Sequence, residues 1–85
     1  IMKDMKIQLR STQDIMRFNK KITKYECDFD IEVGHNYVDA KSLLGLYSLS
    51  LQRPMMLHIQ ADGDILDEIV AELQEFTYMD VAYEC

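Results

Sequence analysis

Ser42 is the residue whose type and place could carry chemistry. It stands where a strand end meets a short, strongly apolar helix, in the run VDAKSLLGLYSLSLQRP that opens at Val38 and closes at Pro54. A serine at a helix start is usually a cap, its oxygen accepting a backbone N–H two or three residues on. The same position stabilises an added phosphate, because the helix dipole and free N–H groups favour negative charge and Lys41 is adjacent. The two histidines offer less. His35 falls in a turn and His58 on the open face of a strand, with no cysteine or neighbouring acid at ligand spacing, so both read as surface histidines without a metal or catalytic role. No Gly-rich phosphate loop, CxxC pair, HExxH helix or nucleophile elbow occurs. Asp28, Asp30 and Glu32 repeat every second residue and describe a solvated strand face, not an acid/base pair. The sequence therefore predicts no enzyme, no cofactor and no metal.

The elements that must position Ser42 follow from periodicity. Met5, Ile7 and Leu9 alternate with Lys6, Gln8 and Arg10, which predicts strand one. Ser11 and Asp14 stand at a capping spacing, and Ile15, Phe18, Ile22 and Tyr25 follow at helical intervals, predicting a first helix over residues 12–25. Cys27, Phe29, Ile31 and Val33 alternate with Asp28, Asp30 and Glu32 as strand two. Gly34, His35 and Asn36 make the turn, and residues 37–40 return as strand three. Helix two is expected over residues 42–51, ended by Pro54, with Leu46 and Leu49 packed inward. Leu57, Ile59 and Ala61 mark strand four. Asp62, Gly63 and Asp64 open helix three, whose buried stripe is expected to be Ile65, Ile69, Leu73 and Phe76, ending near Tyr78. Alternating strands imply one helix-covered sheet face and one wet face. The fold class is α+β, a two-layer open-faced sandwich in the order β-α-β-β-α-β-α, with a four-stranded, largely antiparallel sheet and three helices. Residues 1–78 are expected to form one domain and residues 79–85 a tail.

The formal net charge of −6 conceals a division: the first 25 residues carry seven basic groups against Asp4 and Asp14. Arg17, Lys20, Lys21 and Lys24 share one face of helix one and suggest a charged docking face, a solvated face being the alternative. Nucleic acid is not an expected partner, because the acidic majority repels phosphate. No apolar run approaches the roughly 20 residues of a membrane span, and Cys27 and Cys85 are too few for a disulfide framework. A cytoplasmic protein with reduced thiols is expected. Ile1 is expected to be a remnant or a processing product, with Met2 the natural start.

The runs KYECDFDIEV, VDAKSLLGLYSL and LHIQADG, the last followed by an acidic amphipathic helix, resemble the HPr family of the bacterial phosphoenolpyruvate-dependent sugar phosphotransferase system. The likeness covers residues 24–73, and the AKS-apolar-apolar-G-apolar-apolar-SL run is its most specific part. The resemblance implies a sheet order of 1-4-2-3, against the ferredoxin-like alternative. It matches Ser42 to the regulatory serine modified by HPr kinase/phosphorylase. It places Leu43, Leu44 and Tyr47 in the apolar patch that meets enzyme I, enzyme IIA domains and a transcriptional regulator, with Lys41 and the basic face of helix one beside them.

One departure is large. The family's phosphocarrier histidine lies in a GxHARPA-like segment opening helix one, and here that stretch is RSTQDIM, with no histidine and no proline. Ser11 is nearest by count, but a serine ester lacks the transfer potential of a phosphohistidine. The family includes a histidine-less regulatory paralogue. The leading expectation is therefore a regulatory or binding member acting through Ser42 and the helix-two surface. The alternatives are a phosphocarrier with an unconventional acceptor, and an unrelated small interaction domain or homodimer.

Overall fold

The alternation of Met5 and Ile7 with Lys6 forms a first strand, β1 (Lys3–Ile7), in the computed structural model, which describes residues 3–51 and 53–78. Expectations that fall on Ile1, Met2, Cys85 and the tail over 79–85 lie outside the described residues. After β1 come α1 (Thr12–Thr23), β2 (Phe29–Val33), β3 (Asn36–Asp39), α2 (Leu43–Tyr47), β4 (Met55–Ile59), α3 (Gly63–Glu72) and a 3₁₀ turn (Gln74–Phe76). The sheet is antiparallel with the order β1-β4-β2-β3, so β4 lies between β1 and β2. Leu57 of β4 is opposite both Met5 and Ile31. These side chains point to the helical layer, where Ile15, Phe18 and Ile22 of α1 and Ile69 of α3 complete the core. The result is the open-faced sandwich that the alternation implied.

Local chemistry explains the element ends. Ser11 caps α1, its side chain accepting the Asp14 N–H (3.1 Å), and Asp14 in return accepts the Arg10 N–H (2.9 Å). Gly34 adopts a φ of +60° at the first turn position between β2 and β3, a conformation that costs glycine nothing.

Several elements differ from expectation. Strand one ends at Ile7, because the Gln8 N–H turns to the Phe76 carbonyl (2.8 Å), while Leu9 stays buried. Cys27 precedes β2 rather than lying in it, and Val33 at the other end of β2 is exposed. Helix two stops at Tyr47, well before Pro54. The Ser48 hydroxyl donates to the Gly45 carbonyl (2.6 Å), which also accepts the Ser48 N–H, and the Leu49 N–H bonds back to Leu46. These tight i to i−3 bonds and the competing serine close the helix from within. Helix three ends at Glu72, and Ile65 on its first turn is exposed. The 3₁₀ turn then tucks Phe76 under α1, edge-on to Phe18 at 5.5 Å between centroids. Beyond it the Tyr78 N–H bonds to the Lys6 carbonyl (2.9 Å), fastening this end of the chain to β1.

Phe76 therefore closes the core and anchors the end of the helical layer. Phe76→Ala is expected to cost about 3–5 kcal/mol, through lost burial and the cavity left behind. Urea unfolding followed by circular dichroism reads this as a lower midpoint with a similar slope.

Candidate functional site

Ser42 sits at the end of a turn held from three directions. The Asp39 carboxylate accepts the Lys41 N–H (3.0 Å) and the Asp39 carbonyl accepts the Ser42 N–H (3.0 Å). Asn19 reaches across from α1 and donates to the Ala40 and Lys41 carbonyls (3.4 and 3.0 Å). The Lys41 ammonium donates to the Tyr25 carbonyl (2.5 Å) and lies over the Phe29 ring. So Lys41, expected beside a phosphate on Ser42, is instead committed to the core side of the turn. Asn19 was not anticipated. Its only sequence signal is an amide between the apolar Phe18 and the charged Lys20 in the middle of the helix.

The turn delivers Ser42 as the cap of α2. Its Oγ accepts the Gly45 N–H (3.1 Å) and its carbonyl accepts the Leu46 N–H (2.9 Å). Gly45 lets α2 approach β3: a Cβ there would meet the Val38 side chain at 2.9 Å. That approach sorts the helix. Leu46 is fully buried, whereas Leu43, Leu44 and Tyr47 are 38 %, 82 % and 46 % exposed. Exposed Met16 of α1 stands beside them across a shallow groove lined by Arg17, Asn19, Lys20 and Leu43. Met16 lies off the buried stripe of its helix, so sequence periodicity places it on the surface without placing it next to α2.

The four basic side chains of α1 do not share one fate. Arg17 pairs with Asp14 (2.9 Å) and with Glu75 (2.8 Å), Lys21 with Glu75 (2.7 Å), and Lys24 with Glu72 (2.7 Å). The Glu75 carboxyl is held below its usual range by hydrogen bonds from Lys21 and then Arg17, and that of Glu72 chiefly by Lys24. Three of the four thus tie α1 to the end of the helical layer. Of the four, Lys20 alone has no ion pair among the described residues, and it lines the groove together with Met16, Arg17 and Leu43. Because these glutamate values are depressed, the network contributes above the ordinary carboxylate pKa and is lost as pH falls through the lowered values.

In the RSTQDIM segment Ser11 is engaged as the α1 cap, and Asp14 accepts the Arg10 N–H and pairs with Arg17. His35 occupies the turn between β2 and β3. His58 is not the isolated surface histidine that its sequence neighbours suggest. Its Nδ1 lies 2.5 Å from Asp4 of β1 and its Nε2 2.9 Å from Glu32 of β2, with the Tyr37 ring 5.5 Å away. The acids are remote in sequence, and only the strand order brings them to the imidazole. Among the described residues no group of acids, histidines and cysteines is arranged to hold a metal ion, and no helix is long and apolar enough to cross a membrane.

An open-faced sandwich in the order β1-β4-β2-β3, with a serine-capped apolar helix at one end, is the architecture of phosphotransferase-system HPr proteins. The family described as "PTS HPr component phosphorylation site" matches residues 7–78, and the chain belongs to that family. Solved structures agree in fold. HPr-C-His from Thermoanaerobacter tengcongensis matches with a TM-score of 0.64 at 22 % identity, over 86 % of this chain and 88 % of that one. The histidine-containing phosphocarrier protein of Mycoplasma gives 0.62 at 14 % identity, over 86 % and 89 %. Crh, the catabolite repression protein of Bacillus subtilis whose structure is a swapped dimer, gives 0.60 at 22 % identity, over 86 % and 88 %. No curated protein sequence matches.

The cap geometry makes a measurable demand. Ser42→Ala leaves the Gly45 N–H without its acceptor and is expected to cost about 1 kcal/mol, as helix-cap removal typically does. Ser42→Asp, which restores an acceptor, is expected to recover most of it in the same denaturant titration. A larger loss is expected for Gly45→Val, whose branched side chain enters the space already held by Val38.

Proposed function

We propose that this chain is a regulatory, protein-binding member of the HPr family that acts through Ser42 and the exposed Leu43, Leu44 and Tyr47 surface, and that it does not relay phosphate. The observation that carries this is the pairing of an intact helix-two surface with a helix-one start that lacks the carrier. Both ring nitrogens of His58 face carboxylates, and His35 stands in a hairpin turn, so neither histidine replaces the missing one at the α1 start.

Phosphorylation of Ser42 places roughly two negative charges at the start of α2, beside the apolar side chains a partner would cover. Backbone N–H groups at the α2 start accept that charge without unwinding the helix. The effect on a partner follows from what it presents: an arginine or lysine facing Ser42 gains a charge-assisted hydrogen bond, whereas an acid or an apolar side chain is repelled or desolvated. The partners we infer are those of the family: HPr kinase/phosphorylase, enzyme I or enzyme IIA-like domains, and a transcriptional regulator, with catabolite repression as the candidate process. Lys20, beside the Leu43 groove, supplies a positive rim for an acidic partner, while Arg17, Lys21 and Lys24 serve first as internal ties.

Two assays test the proposal. With HPr kinase and ATP, intact mass is expected to show one added phosphate that Ser42→Ala abolishes; no adduct on the wild-type chain counts against a regulatory serine. With phosphoenolpyruvate and enzyme I, no acid-labile phosphate is expected, and its presence on His35 or His58 overturns the non-carrier assignment. Leu44→Asp removes an exposed contact whose burial is worth about 1.5–3 kcal/mol. It is expected to weaken partner binding tenfold or more while leaving fold stability within about 0.5 kcal/mol.

A further inference from the structure

On the open face of the sheet, one cross-strand row reads Asp4, His58, Asp30 and Asp39 through all four strands. The neighbouring row reads Lys6, Met56, Glu32 and Tyr37. The two rows hold four carboxylates, and the His58 side chain is 12 % exposed. Two of those carboxylates have other partners: Asp30 accepts from Gln60 (3.3 Å), and Asp39 accepts the Lys41 N–H. The remaining two, Asp4 and Glu32, each face one ring nitrogen. Helices cover only the opposite face, so among the described residues the charged groups near the imidazole are those of these two rows.

An ionised carboxylate only accepts hydrogen bonds, so satisfying both Asp4 and Glu32 requires an N–H on both ring nitrogens. Only the imidazolium has two. A neutral ring donates to one acid and sets its lone pair against the other. We propose that His58 is a proton-operated clasp: protonated, it ties β1 through Asp4 and β2 through Glu32 across β4, and on losing its proton it releases the beginning of β1.

The edge position of β1 makes the release local. Its far end stays fastened by the Ile7–Thr77 bridge and by the bond from the Tyr78 N–H to the Lys6 carbonyl. Near Lys3 and Asp4, by contrast, the links to the sheet among the described residues are the β4 ladder and this histidine. The hydrogen bond to Glu32, with Asp4 adding and burial opposing, raises the His58 pKa above the ordinary 6.5. The clasp is therefore complete below the ordinary imidazole pKa and is lost as pH rises through the elevated folded value.

Native-state hydrogen exchange by NMR at pH 6.0 and pH 8.5, corrected for intrinsic exchange, tests this on the whole chain. In the wild type, β1 amides near Asp4 are expected to lose about fivefold or more of their protection at the higher pH, the factor matching about 1 kcal/mol, while β2 amides lose less. His58→Gln is expected to abolish the pH dependence, and His35→Gln to preserve it. Should His58→Gln not fold, Asp4→Asn, which removes only the β1 limb, is expected to do the same. An NMR titration of the His58 ring is expected to give a midpoint above 6.5 that falls in Glu32→Gln. Equal protection of β1 at both pH values, or a pH dependence that survives His58→Gln and Asp4→Asn, overturns the proposal.

Discussion

The structure depends on β4 taking its place between β1 and β2. Antiparallel pairing on both sides satisfies the backbone groups of a central strand and sets Leu57 opposite Met5 and Ile31 at once. Every layer above rests on that apolar strip. Ile15, Phe18 and Ile22 of α1 and Ile69 of α3 have a surface to cover only because three strands contribute to one face. The same insertion orders the wet face, since it brings Asp4 of β1 and Glu32 of β2 to either side of His58.

The site at α2 is a consequence of restraint applied from elsewhere. A five-residue helix is too short to hold itself in water, because its nucleation cost is spread over almost no hydrogen bonds. Here the cost is met by Asn19 and Lys41, which fasten the preceding turn, by Gly45, which permits contact with Val38, and by Leu46 in the core. With one face anchored, Leu44 and Tyr47 remain outward. Solvent exposure of three large apolar side chains on one short element has a cost that a bound partner would relieve.

Electrostatics divide between holding and presenting. The basic residues of α1 read as one stripe, yet Arg17, Lys21 and Lys24 lie against Glu72 and Glu75, where they lower the carboxyl pKa values and fasten the last turn of the helical layer. Tyr25 adds a related tie: its hydroxyl donates to Glu68 (2.9 Å), and burial first, then that bond, pushes its pKa up to about 12. A stripe of like charge on one helix is thus largely neutralised by the end of α3 and the 3₁₀ turn after it, which sequence spacing alone does not place.

The sequence by itself determined the strands, because side-chain direction alternates along an extended chain and the apolar residues of β1, β2 and β4 obey that period. It likewise determined α1, whose cap and stripe are local, and the serine at the start of α2, whose hydrogen bond spans three residues. It did not determine where α2 stops, since the Ser48 hydroxyl competes with the helix ladder in a way periodicity does not register. Nor did periodicity determine the strand order, for which the family resemblance was needed. The contacts that depend on that order were decided by tertiary structure alone: His58 meets acids 54 and 26 positions away in the chain, and Lys24 meets one 48 positions away. Charge and hydrogen bonding act through space, and which distant groups become neighbours is settled only when the sheet closes.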